Sequence, residues 1–146
     1  MTRSFHDGLG EQVSQGGSLR DVPVVEADQT TVADVILLTQ DCQYDKTEPG
    51  GLVLVAMVRS LSAVAPSHQG NVRSMRTFDL AYLPAETGRP ETFVDLRRIA
   101  PLRKVEVERL SARGQRVASL SDDGQALLRA RLHLFFSRQL PEPPRG

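Results

Sequence analysis

Two apolar runs, Val32-Ala-Asp-Val-Ile-Leu-Leu38 and Leu52-Val-Leu-Val-Ala-Met-Val58, decide the fold. Both have strand length, and both are rich in β-branched or aliphatic residues that suit a pleated backbone. Their apolar residues are consecutive rather than alternating with polar ones, so each run reads as a strand covered on both faces. The connection between them, Asp41-Cys-Gln-Tyr-Asp-Lys-Thr-Glu-Pro-Gly-Gly51, is polar and turn-rich. Successive strands on a short connection tend to be neighbours. Residues 35–38 and 52–58 are therefore expected as adjacent central strands.

Upstream, Val22-Pro-Val-Val25 offers a short first strand, while residues 1–20 lack periodicity and are expected to be a flexible segment. Downstream, Pro66-Ser-His-Gln-Gly-Asn71 reads as a loop. Met75–Leu83 and Glu91–Arg97 read as two strands of a hairpin about the turn Pro84–Pro90. Residues 103–118 fit either a strand or a short helix, because Val105-Glu-Val-Glu-Arg-Leu110 alternates. The clearest helix is 122–138. Ser121 can cap it, Asp122 and Asp123 suit the positive end of its dipole, and Leu128, Leu132, Phe135 and Phe136 form an apolar stripe. These four side chains are expected to be buried, and Arg129, Arg131 and Arg138 to be solvated. Pro141–Pro144 ends the helix and leaves a flexible tail at 141–146. Five or six short strands and one terminal helix predict a mainly β fold, a small barrel plugged by the helix within a single domain at 21–140.

The chain has 146 residues, 40% of them hydrophobic and 25% charged, which fits one globular domain. No run approaches the roughly 18 apolar residues of a membrane span, so no membrane partner is expected. A lone cysteine excludes an internal disulfide framework and a multi-cysteine zinc site, and a cytoplasmic location is the expectation. The balanced net charge conceals a polarity. Residues 1–72 carry 4 basic and 9 acidic side chains, whereas residues 73–146 carry 14 basic and 9 acidic. Arg73, Arg76, Arg97, Arg98, Arg103 and Lys104 are the candidates for contact with an anionic partner, RNA, DNA or an acidic protein. With no tryptophan and only Tyr44 and Tyr82, phosphate contact fits this composition better than base stacking.

Other chemistry is sparse. Cys42 as a nucleophile needs a histidine partner, and His68 is the one in a suitable loop; a small buried thiol is the structural alternative. Asp41, Asp45 and Glu48 lack the glycine-marked loop of a calcium site and read as a solvated turn, with Asp41 making a local Asx-type bond. No metal and no cofactor is expected, since no phosphate loop, dinucleotide fingerprint or zincin motif occurs.

The order of strand Val35–Gln40, acidic loop, strand Leu52–Ser60, hairpin, strand Phe93–Arg97, connector and helix Asp122–Arg138 resembles the PemK/MazF-like fold over about residues 30–138. That fold is an SH3-like barrel found in RNA-cutting growth-inhibitor toxins of bacterial toxin–antitoxin pairs. The resemblance implies an SH3-like barrel of five or six strands, a homodimer and metal-independent endoribonuclease chemistry. It makes Ser60 and Ser62 candidates for the family's Ser or Thr, and Arg59, Arg73 or Arg76 are the candidates to supply the cation from another position. The family's Gly-x-Arg-Pro segment is replaced here by Thr30-Thr-Val-Ala-Asp34. Cleavage needs a group that activates the 2′-hydroxyl and a cation for the developing charge, so the leading expectation is a non-catalytic module that binds through its arginine-rich half. An active endoribonuclease and a regulatory or accessory interaction protein are the alternatives.

Overall fold

The chain order is β1 (His6–Asp7), β2 (Ser18–Glu26), β3 (Gln29–Leu37), α1 (Asp41–Lys46), β4 (Leu52–Ser60), a 3-10 turn (Leu61–Ala63), α2 (Pro66–Arg73), β5 (Leu80–Leu83), β6 (Thr92–Arg103), α3 (Lys104–Ala112), β7 (Arg116–Leu120) and α4 (Asp122–Gln139). These elements come from a computed structural model that describes residues 6–7, 13–86 and 89–139. The expected tail at 141–146 and most of the expected flexible segment 1–20 lie outside the described residues; within the described part of that segment, Gln15 and Leu19 are buried and residues 18–20 belong to β2, so the domain begins before residue 21. Six strands make one antiparallel sheet in the order β7-β2-β3-β4-β6-β5, and the two-residue β1 adds to its β7 edge.

The two apolar runs are central neighbours, as expected. Ile36 lies opposite Ala56 and Leu37 opposite Val55. Successive strand residues face opposite sides. Val35 and Leu37, with Val53, Val55 and Met57, enter a core closed by Tyr44 of α1 and by Val107 and Leu110 of α3. Ile36 and Leu38, with Ala56, enter a second core closed by Leu128 of α4. A third cluster of Leu61, Val72, Leu80 and Phe93 seats α2.

The expected barrel does not close. A small barrel encloses one interior and asks for one apolar face per strand; here both faces of β3 and β4 are apolar and helices cover each. The sheet therefore stays open and carries two cores. Two local irregularities interrupt its regular ladders. Ala27 and Asp28 both adopt positive φ (44° and 67°) in the two-residue β2–β3 turn, the geometry that matches strand twist. In β6 the register jumps from Ile99 opposite Ala56 to Asp95 opposite Met57, so Leu96-Arg97-Arg98 bulge out of the ladder with β4.

Three local expectations are corrected and one open alternative is resolved. Residues 66–71 form most of α2 rather than a loop, because Pro66 starts the helix without losing a hydrogen bond and Val72 anchors it. Residues 41–46 form α1, held by buried Tyr44. In the 75–83 segment only Leu80–Leu83 is strand. The ambiguous stretch divides into α3 and β7, with Gly114 (φ 77°) making the left-handed stop between them.

The terminal helix matches in extent, and Ser121 Oγ accepts the Gly124 N–H at 3.2 Å as a cap. Leu128 is buried, and Leu132 and Phe135 are half-buried against the second core. Phe136, expected inside, is 47% exposed. At 100° per residue it lies about 80° around the helix from Leu128, on the flank of the stripe. Arg129 and Arg138 are exposed, as expected, although Arg129 donates to Gln15 and Arg138 lies 4.9 Å above the Phe78 ring; Arg131 is half-buried instead and donates to the Met75 carbonyl. Phe135→Ala should accordingly destabilise by about 1–3 kcal/mol, below the range for a fully buried ring. Urea unfolding would measure it; a cost above about 4 kcal/mol would mean that the ring is sealed inside the core.

Candidate anion-binding interface

At the end of β4 the residues considered for RNA cleavage have structural work. Ser60 Oγ and Ser62 Oγ are hydrogen-bonded at 2.8 Å, and Ser60 Oγ also accepts the Ser62 N–H, capping the 3-10 turn. Arg59, adjacent in the strand and so on its other face, places its guanidinium 6.0 Å from the centre of the Phe93 ring. No histidine or carboxylate hydrogen-bonds either serine among the described residues.

Cys42 is exposed rather than the buried thiol expected, because Tyr44 takes the inward face of α1 and Cys42 lies two residues around the helix from it. His68 is exposed on α2, which packs in a different cluster from α1. Asp41 makes a tertiary bond instead of a local one: its Oδ1 accepts the Gln15 N–H at 2.6 Å. No group of ligands suited to a metal occurs among the described residues.

The six candidate cations separate into tied and available ones. Arg73 forms a two-point pair with Glu91, at 2.8 and 3.0 Å, and the Tyr82 hydroxyl donates to the same carboxylate at 2.6 Å. Arg97 is held twice by Asp95, which is fully buried, and Arg98 twice by Glu26. Lys104 donates to the Tyr44 and Thr47 carbonyls at the end of α1 and lies 4.5 Å over the Tyr44 ring. Arg76 and Arg103 are exposed.

The hydrogen bond from Arg73, then that from Tyr82, holds the Glu91 carboxyl down at about 2 against an ordinary 4.5. A carboxyl lowered by folding stabilises the fold above its ordinary value, and that contribution is lost as pH falls through the folded value. The stability difference between the parent and Glu91→Gln should therefore be constant above pH 4.5 and close as pH approaches 2. Urea unfolding across that window checks this; a difference that stays constant throughout would contradict the pairing.

α3 presents three faces. Val107 and Leu110 enter the first core. Lys104, Glu108 and Ser111 line a cleft of about 480 Å³ with Tyr44 and Asp45, where the Tyr44 hydroxyl donates to Glu108 at 2.6 Å. Burial first, and then this carboxylate, push the Tyr44 phenol far above its ordinary value, so it stays a neutral donor. The third face carries Glu106, Arg109 and Arg113, with Arg103 at its start. Arg109 hydrogen-bonds Glu106, and this bond leads in holding the carboxyl below its ordinary value; the charges of Arg113 and Arg103 add to it. Arg109 alone bonds Glu106, while exposed Arg103 and Arg113 act on the same carboxylate through their charge.

Two buried polar residues outside this patch had no motif. Gln15 donates to the Leu38 carbonyl at 2.7 Å and accepts from Arg129, tying the start of the domain to β3 and α4. The turn beside it needs Gly16 (φ 84°), where an added Cβ would lie 3.0 Å from Leu120. Asp95 is the other. Its signal was present, since Asp95 and Arg97 are two apart and two strand residues at that spacing share a face. No protein-family model matches this chain, and no curated protein matches it.

Proposed function

We propose that this protein is a non-catalytic binding module that engages the phosphate backbone of a nucleic acid through the Arg103–Arg109–Arg113 face. One observation carries the reading: on this face only the Arg109 guanidinium is paired, with Glu106, while Arg103 and Arg113 are exposed and in no ion pair among the described residues, where Arg73, Arg97 and Arg98 are matched within the fold. Such groups bind phosphate with little regard to sequence, and the lack of exposed stacking aromatics on α3 agrees. The cleavage candidates favour the non-catalytic version, because Ser60 and Ser62 bond to each other and Arg59 stacks on Phe93. Kinship with PemK/MazF-like proteins is proposed as one of element order and terminal helix, without barrel closure.

A gel-shift experiment with a single-stranded RNA of 20 nucleotides in chelator separates the readings. The module should retard the RNA and leave it intact. Neutralising about three phosphates predicts that log affinity falls with log salt at a slope near −2. Shortened products with cyclic-phosphate ends would establish the endoribonuclease instead. No retardation at low salt would exclude nucleic acid and leave an acidic protein as the partner.

A further inference from the structure

The cleft between α3 and Tyr44 carries polar groups that phosphate contact does not use. Tyr44 positions two of them. Its hydroxyl donates to Glu108 Oε1 at 2.6 Å, and the Lys104 ammonium lies 4.5 Å over its ring. Lys104 and Glu108 are four apart on one helix, so they are neighbours on the same face. Glu108 is exposed and makes no other hydrogen bond among the described residues, so its carboxylate keeps acceptor positions open to the cleft. Lys104 uses two N–H groups on the Tyr44 and Thr47 carbonyls, which leaves it a third.

The lining charges decide what fits. Asp45 and Glu108 are balanced by Lys104 and Arg116, so the cleft selects for neither a phosphate nor a cation. A neutral, polar, planar ring system suits it. The volume of about 480 Å³ is roughly three times that of a cavity that takes benzene, and Val13 and Ala112 supply apolar contact. Among the RNA bases only guanine presents two adjacent N–H donors, N1–H and N2–H, beside the acceptor O6 on its pairing edge. A carboxylate accepts both donors together, and a neighbouring ammonium donates to O6. Adenine and cytosine offer the carboxylate one amino group, and uracil offers one ring N–H. The cleft also adjoins the cationic face. Ala112 is exposed at its rim and, at 100° per residue, lies about 60° around α3 from Arg109.

We propose that this cleft takes a guanine base of the single-stranded RNA bound by the α3 face, its N1–H and N2–H on the Glu108 carboxylate and its O6 on Lys104. The inference rests on the nucleic-acid reading and adds a base preference that the arginines alone do not supply.

Fluorescence anisotropy with end-labelled uridine RNAs of about six nucleotides tests it, with one inner position held as uridine, guanosine, inosine or adenosine. The guanosine RNA should bind about tenfold tighter than the all-uridine one, and the adenosine RNA should stay within about twofold of it. Inosine, which lacks only the N2 amino group of guanosine, should fall between. Glu108→Gln removes a negative charge and so favours every RNA; the guanosine-to-uridine ratio is therefore the readout, and it should drop to about twofold or less. Asp28→Asn makes the same charge change in the β2–β3 turn and should leave the ratio at the parent's value. Replacing Arg103 and Arg113 should weaken all four RNAs alike. Equal affinity for the guanosine and all-uridine RNAs, or a ratio that Glu108→Gln does not lower, would overturn this inference and leave the α3 reading standing. Failure of every RNA to bind would overturn both.

Discussion

Replacing Phe93 with alanine is expected to cost about 3–5 kcal/mol of folding free energy, the largest loss of any single substitution considered. The ring is 1% exposed and fills the cluster formed by Leu61, Val72 and Leu80. It also lies beneath the Arg59 guanidinium and opposite Tyr82 of β5. Truncation leaves a cavity at the point where β4, β5, β6 and α2 meet, and Val72 loses the surface that holds its helix. Urea unfolding should show a lower midpoint at unchanged slope. A loss below about 1 kcal/mol would mean that α2 is not seated there.

Asp95→Ala is expected to cost about 2–4 kcal/mol, for a different reason. The Asp95 carboxylate is fully buried and accepts three bonds from Arg97: its backbone N–H at 3.0 Å and two guanidinium donors at 3.0 and 3.1 Å. The Arg97 side chain is 55% exposed and can return to water, which keeps the cost below that of breaking a wholly buried pair. The backbone donor has no such outlet, and with it goes the brace of the β6 bulge. Asp95→Asn should fall between parent and alanine, since it keeps an acceptor and gives up the charge. Thermal unfolding of all three proteins gives the ranking, and an alanine variant within 0.5 kcal/mol of the parent would show that the bulge does not rely on Asp95.

The elements legible in the sequence were those whose cause is local. The paired runs at 35–38 and 52–58 follow from composition and length, the β5–β6 hairpin from its turn residues, and α4 from capping and apolar spacing. The same runs also argued against a barrel: Ile36 beside Val35 and Leu37 demands cover on both faces, and one enclosed interior supplies only one. That inference was available from residues 35–38 alone. What stayed hidden depends on distant partners. α1 and α2 are short helices with little intrinsic stability, kept by Tyr44 and Val72 entering separate cores. The Arg98–Glu26 pair joins residues 72 positions apart, so counting arginines in the second half overstated the cations free to bind. Of the six named, Arg76 and Arg103 remain exposed and outside the ion pairs described; Arg109 and Arg113 were legible as part of the densest basic segment of the sequence, 97–116, and share a face with Arg103 because α3 forms.

Fluorescence anisotropy of a labelled single-stranded RNA, read at several salt concentrations, tests the binding face most directly when two double variants are compared. Arg103→Gln with Arg113→Gln removes cations from the α3 face, while Arg20→Gln with Arg76→Gln removes equal charge from exposed positions elsewhere. The first should weaken binding at least about tenfold at low salt and flatten the salt slope by about 1.4, two phosphates' worth for a single strand. The second should stay within about twofold of the parent on the same scale. Equal losses from both pairs would reduce the interaction to overall charge, and parental affinity in the Arg103/Arg113 variant would contradict the assignment of the face.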